Sequence, residues 1–150
     1  MNLSIRPAKS ADLQLLAEMN RHFCDDEGSR NRMSVAELAV RMGKWLAGDW
    51  EAVLIEDQSK TVGYAVFRIG RDDYDPSIPE VYIRQFFIAK ELRGRGLGRQ
   101  AFGLLRQTVF PASSQVHLEV LASNPGGQRF WEKLGLQPYS VAMRLEKSGD

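Results

Sequence analysis

One cysteine and two histidines are all that the 150-residue chain holds of the side chains used most for cross-links and soft metals. A lone Cys24 excludes an internal disulfide and a cysteine-rich metal site, and it reads as a buried or half-buried helix residue. His22 and His117 are too few for a multi-histidine centre, so no metal is expected. A surplus of either charge is missing too. Lys plus Arg number 20 and Asp plus Glu 19, a net charge of +1. That balance argues against a nucleic-acid binder working through bulk charge. No apolar run approaches the ~20 residues of a membrane-spanning helix. The stretch Met1 to Pro7 lacks a signal-peptide core, which makes the cytoplasm the expected compartment. No repeat, low-complexity tract or linker divides the chain, which is read as a single domain over residues 1–150.

What the chain does have is a glycine-rich turn set among arginines, Arg93-Gly94-Arg95-Gly96-Leu97-Gly98. It follows the apolar run Val81 to Ile88 and precedes a helical pattern that starts near Leu97. Strand, glycine turn and helix let backbone N–H groups converge on a phosphate. Glycines remove the Cβ atoms that would block close approach. The helix behind them leaves its first N–H groups unpaired and its positive end facing the turn. Arg93, Arg95 and Arg99 add charge suited to phosphate oxygens. A pyrophosphate is the expected ligand. The Walker pattern Gly-x-x-x-x-Gly-Lys-Ser/Thr is absent. A dinucleotide fingerprint needs Gly-x-Gly-x-x-Gly with an acid about 20 residues on at a strand end. Here the spacing is Gly-x-Gly-x-Gly, and Glu119 falls inside a predicted strand. The plain alternative is a surface turn with an arginine cluster.

Periodicity supplies the frame. Leu3 to Arg6 reads as a strand stopped by Pro7. Ser10 or Asp12 caps a helix with Leu13, Leu16, Ala17, Met19 and Phe23 on its apolar face. Ser34-Val35-Ala36-Glu37 is a capping box that opens a second helix through Leu38, Met42, Trp45 and Leu46, ended by Gly48. Between the helices lies a polar loop, Asp25 to Arg32. Ala52 to Glu56 and Val62 to Ile69 read as a hairpin about Asp57 to Lys60. Val81 to Ile88 is apolar enough for a central strand. Leu97, Ala101, Leu104, Leu105 and Val109 share a helix face, and Pro111 stops that helix. Gln115 to Leu121 is the next strand. Asn124-Pro125 starts a helix that Gly135 ends. Tyr139 to Glu146 alternates loosely and is expected to form a last strand. The order β-α-α-β-β-β-α-β-α-β predicts a mixed α/β sheet flanked by helices.

Arg93-x-x-Gly96-x-Gly98 resembles the Arg/Gln-x-x-Gly-x-Gly/Ala signature of the GNAT family of N-acetyltransferases. A second match follows: the strand Leu118 to Ala122, then Asn124, then Phe130-Trp131 before Gly135, where the family carries a Phe-Tyr pair. The resemblance covers the C-terminal half closely and the N-terminal half in element order. It implies that coenzyme A owns the pyrophosphate, as acetyl-CoA, with no metal. It implies that the strand ending at Ile88 and the strand ending near Ala122 splay apart to receive the pantetheine arm. The implied cofactor-binding residues are Phe86, Phe87, Ile88, Arg93, Gly94, Arg95, Gly96, Leu97, Gly98, Arg99 and Asn124. The reaction it implies is direct transfer of acetyl to a primary amine. The same fold also serves a non-catalytic acyl-CoA sensor.

The chemistry needs a base for the amine and a way to release the thiolate. Glu119 is the first choice as base, because Leu-Glu-Val-x-Ala-Ser-Asn resembles the corresponding stretch of ribosomal-protein N-terminal acetyltransferases. The plain alternative is a solvent-facing strand residue. Glu80 is a second candidate, acting through water. Trp131 stands where the family's tyrosine acid would be, and an indole has no proton to give. Tyr139 is the candidate substitute. Asp26, Glu27, Arg30, Tyr82 and Arg84 are the candidate acceptor-binding residues, with the acids suited to a cationic amine. Arg84, read as buried, calls for an acidic partner or substrate. Trp45 and Trp50 read as core or lid packing. The expected partner is a small-molecule or peptide amine, without nucleic acid or membrane, and a homodimer is left open.

Overall fold

The computed structural model describes residues 2–147. Five strands form one sheet, β1 (Leu3–Pro7), β2 (Glu51–Asp57), β3 (Lys60–Arg71), β4 (Pro79–Ile88) and β5 (Gln115–Leu118), side by side in that order. The first four pair antiparallel and β5 joins β4 in parallel. Helices α1 (Leu13–Asp26) and α2 (Val35–Ala47) connect β1 to β2, α3 (Leu97–Thr108) connects β4 to β5, and α4 (Pro125–Lys133) follows β5. This is the mixed α/β architecture that periodicity predicts.

Local chemistry explains the joints. Gln58 and Ser59 take φ of 51° and 70°, the paired left-handed turn that a two-residue hairpin loop requires. The Ser34 hydroxyl accepts from the Glu37 N–H at 3.1 Å while the Glu37 carboxylate accepts from the Ser34 N–H at 2.9 Å, completing the capping box. Asp12 does not cap α1. It holds the Arg6 guanidinium through two bonds of 3.0 Å and so pins the entry to α1 against β1.

Strand alternation divides the core into two layers. Ala52, Leu54, Tyr64, Val66 and Phe87 pack beneath α1 and α2 against Leu16, Met19 and Met42. Val53, Ala65, Phe67, Val81 and Ile83 face the other way, onto Phe102 and Leu105 of α3 and Trp131 of α4.

Two features of the sheet differ from expectation. First, β5 ends at Leu118, not Leu121, because its pairing with β4 stops at Ile83↔Leu118. Past that point the two chains part, leaving Arg84 to Ile88 of β4 without a neighbour on that side. Second, no strand forms at Tyr139 to Glu146. The segment joins no ladder, and its alternating apolar residues are bare: Tyr139 is 90% exposed, Val141 85%, Met143 89% and Leu145 97%. No helix among the described residues is long and apolar enough to cross a membrane.

Candidate functional site

The glycine turn forms the N-terminal boundary of α3. Gly96 is the N-cap at φ 77° and Gly94 lies at φ 82°, angles that strain any residue with a Cβ. The N–H groups of Leu97, Gly98 and Arg99 begin the helix and have no carbonyl behind them. A Cβ on Gly98 would sit 2.9 Å from the Phe130 ring, so α3 and α4 meet closely there and a larger residue would have to displace that ring. Arg93 does not reach outward. Its Nε donates to the Ile88 carbonyl at 2.8 Å and its Nη2 to Asp26 at 2.7 Å. The loop is thereby tied to the end of β4 and the end of α1. Arg95 and Arg99 make no ion pair among the described residues, and only Arg99 borders the cavity described next.

That cavity, of about 530 Å³, runs from the loop into the gap where β4 and β5 part. Gly94, Gly96 and Gly98 line one end. Arg84, Gln85, Phe86 and Ile88 line the β4 side, and Leu118, Glu119, Val120 and Asn124 the opposite wall. Ala89 donates its N–H to Val62 of β3 at 2.9 Å. Ladder alternation therefore turns the N–H groups of Ile88 and Phe86 away from β3 and into the gap. Asn124 accepts from the Gly127 N–H at 3.0 Å as the cap of α4 while bordering the cavity.

The floor under α1 is polar and closed. The Tyr64 hydroxyl donates to Gln85 Oε1 at 2.8 Å, Gln85 Nε2 donates to Asn20 Oδ1 at 3.0 Å, and the Cys24 thiol approaches the same oxygen at 3.6 Å. Burial raises the Cys24 thiol, so it stays protonated and packs as a core residue. Glu27 borders the cavity, and burial pushes its carboxyl up to about 7. Tyr82 is half-buried and does not itself border the cavity. Burial first, then the nearby Glu119 charge, keep its hydroxyl protonated.

The structure gathers Glu27, Arg84, Phe86, Ile88, Arg93, Gly94, Gly96, Leu97, Gly98, Arg99, Glu119 and Asn124 around one space. Other expected residues fall elsewhere. The Phe87 ring packs against Tyr64 in the α1/α2 core, because alternation points it away from Phe86 and Ile88. Tyr139 is in the bare C-terminal segment and does not border the cavity. Glu80 is held by His117 at 3.3 Å outside it, and Arg30 does not border it. Asp26 does border the cavity, where it accepts from Arg93 at 2.7 Å. Arg84 is exposed rather than buried and lies over the rings of Trp45 and Trp50 instead of an acid. Trp131 does border the cavity, 9% exposed and wedged edge-on against Phe86, Phe102 and Phe130. Sequence reasoning missed Phe23 and Lys133 as cavity residues. Nothing local marks them, since each arrives from an element distant in the chain. Gln85 carried a signal, a polar residue inside an apolar strand.

A five-stranded mixed sheet whose fourth and fifth strands part beside a glycine-capped helix defines a class of acyl-group transferases. The model of the GNAT acetyltransferase family matches residues 16–136, and the chain belongs to that family. Solved structures agree in fold. A possible acetyltransferase from Clostridium difficile 630 superposes with a TM-score of 0.76 at 17% identity, covering 99% of both chains. The ribosomal-protein-alanine N-acetyltransferase of Brucella melitensis biovar Abortus 2308 gives 0.73 at 12% identity, over 97% of this chain and 100% of that one. An aminoglycoside N-acetyltransferase in complex with CoA gives 0.72 at 15% identity, over 97% and 95%. No curated protein matches the chain in sequence.

Proposed function

We propose that the chain, one acetyltransferase domain over residues 1–150 acting in the cytoplasm, transfers acetyl from acetyl-CoA to a primary amine by direct attack. The observation that carries this reading is the single cavity joining the unpaired N–H groups at the start of α3 to the gap between β4 and β5. A diphosphate fits the first part and a linear amide-bearing arm the second. The positive φ of Gly94 and Gly96, with no Cβ in the way, suits close approach of phosphate oxygens.

Acetyl-CoA supplies an acyl carbon activated by its sulfur. The loop N–H groups from Gly94 to Arg99 hold the diphosphate. The gap-facing N–H of Phe86 serves the pantetheine amides, and that of Ile88 donates to the thioester oxygen as charge gathers there. Glu119 takes the amine proton, directly or through one water. The C–N bond forms as the C–S bond breaks. Trp131 holds no transferable proton, so the thiolate departs on its own acidity, a thiol pKa near ~8.5. Asn124 fixes the start of α4 beside the same arm.

Thiol release from acetyl-CoA across a panel of amines tests the reading. Glu119→Gln is expected to lower kcat about 10²- to 10⁴-fold with acetyl-CoA affinity retained. Absence of any heat of acetyl-CoA binding to folded protein would overturn it. The loss of the tyrosine at Trp131 and the remoteness of Tyr139 favour one second reading, an acyl-CoA sensor. It predicts binding without thiol release.

A homodimer is part of the proposal. β5 is the edge of the sheet, and the bare alternation of Tyr139, Val141, Met143 and Leu145 is the pattern of a strand that lacks its sheet. A second copy of the chain supplies that edge, and its own segment is covered in return.

A further inference from the structure

Beside the cavity, at the margin of the α1/α2 layer, lies a cluster that the transfer chemistry does not use. Trp45 of α2 and Trp50 before β2 have their rings 6.4 Å apart. Three guanidinium groups lie on these rings. Arg41 is 4.4 Å from the Trp45 centroid, Arg84 is 4.3 Å from Trp45 and 5.1 Å from Trp50, and Arg68 is 4.6 Å from Trp50. Tyr82 extends the surface, 5.9 Å from Trp50, and His117 follows at 4.7 Å from Tyr82.

Among the described residues no carboxylate forms an ion pair with Arg41, Arg68 or Arg84. Arg41 is partly buried, and its Nε is a buried donor with no partner. Burial and the neighbouring Arg84 charge both act against its protonated form. Aromatic faces attract the flat sides of the three cations but leave their in-plane N–H donors free. Like charges gathered on one surface with open forks fit a planar or tetrahedral anion. The cluster meets the cavity at Arg84, across from Glu119. Tyr82 is within electrostatic reach of Glu119, Arg84 and Arg68 alike.

We propose that Arg41, Arg68 and Arg84, held on Trp45 and Trp50, bind the acceptor, and that the acceptor is an amine bearing a carboxylate or phosphate group. This rests on the N-acetyltransferase reading. The substrate is dipolar in place: its amine turns toward Glu119 and its anionic end toward the arginines. Polyamines and other pure cations meet three positive charges and are rejected.

The test uses the full chain and matched acceptors: β-alanine and γ-aminobutyrate against propylamine and butylamine, and phosphoethanolamine against ethanolamine. The anionic member of each pair is expected to show at least about tenfold higher kcat/KM, equal to about 1.4 kcal/mol. Arg68→Gln and Arg84→Gln are expected to raise KM for the anionic acceptors and bring the ratio close to one. Which pair shows the larger ratio identifies the carboxylate or the phosphate as the recognised group. Tryptophan fluorescence supplies a readout free of turnover. Titration with γ-aminobutyrate or phosphoethanolamine should change the emission, and Arg84→Gln should abolish the change. Thiol release with neutral amines equal to or better than anionic ones overturns the proposal while the enzyme stands. No thiol release from any amine, with the fluorescence response intact, overturns the enzyme while the anion site stands.

Discussion

The Arg93 guanidinium binds Asp26 at 2.7 Å and, through its Nε, the Ile88 carbonyl at 2.8 Å. One side chain thus joins the glycine loop, the end of β4 and the end of α1. The arginine of the signature shapes the loop. Arg93→Ala is expected to weaken CoA binding about tenfold by loosening the loop, measured by calorimetry. Asp26→Asn should cost only about 0.5–1 kcal/mol in stability, since the pair is partly open to solvent.

Gly96 allows α3 to start at a left-handed residue. Gly96→Ala is expected to destabilise the fold by about 1–2 kcal/mol and to weaken CoA binding, read by chemical denaturation and by calorimetry on the folded variant. Gly103, inside α3 with open space around it, is the control. Gly103→Ala should raise stability slightly, about 0.5–1 kcal/mol, in chemical denaturation.

Glu27 sets a pH dependence of stability. Its folded carboxyl is pushed up to about 7 by burial, above its ordinary value of 4.5. The folded state therefore holds this proton more tightly than the unfolded chain. The charge costs nothing below about pH 4.5, and the penalty grows until it is complete above about pH 7. Glu27→Gln is expected to flatten this fall and to stabilise the protein at pH 8 by about 1–2 kcal/mol, after solvent screening is allowed for. Urea melts at pH 5 and pH 8 measure the difference.

The bare segment makes its own prediction. The chain is expected to run as a dimer in light scattering, and Val141→Asp with Met143→Asp to yield monomers of unchanged helix content. A wild-type monomer at micromolar concentration would rule out the exchange of strands.

Much of the fold was legible because its signals are local. The capping box at Ser34, the cap at Asn124 with Pro125 behind it, and the two-residue hairpin turn depend on neighbours in the chain. The glycine loop was legible for the same reason. The last strand was misread because alternation reports that a segment wants a sheet and not whether an edge is within reach. Arg84 was misread as buried because strand position does not say where helices stop covering a sheet. The Arg93–Asp26 pair joins residues 67 positions apart, and nothing near either residue announces it.

By itself the order of residues determined the elements, their caps, the glycine turn and the apolar faces, since each follows from backbone sterics and contacts between near neighbours. Only the tertiary structure decided where β5 leaves β4, which charges meet, and which arginines rest on Trp45 and Trp50. Those outcomes depend on distances between segments far apart along the chain, which packing sets and periodicity does not encode.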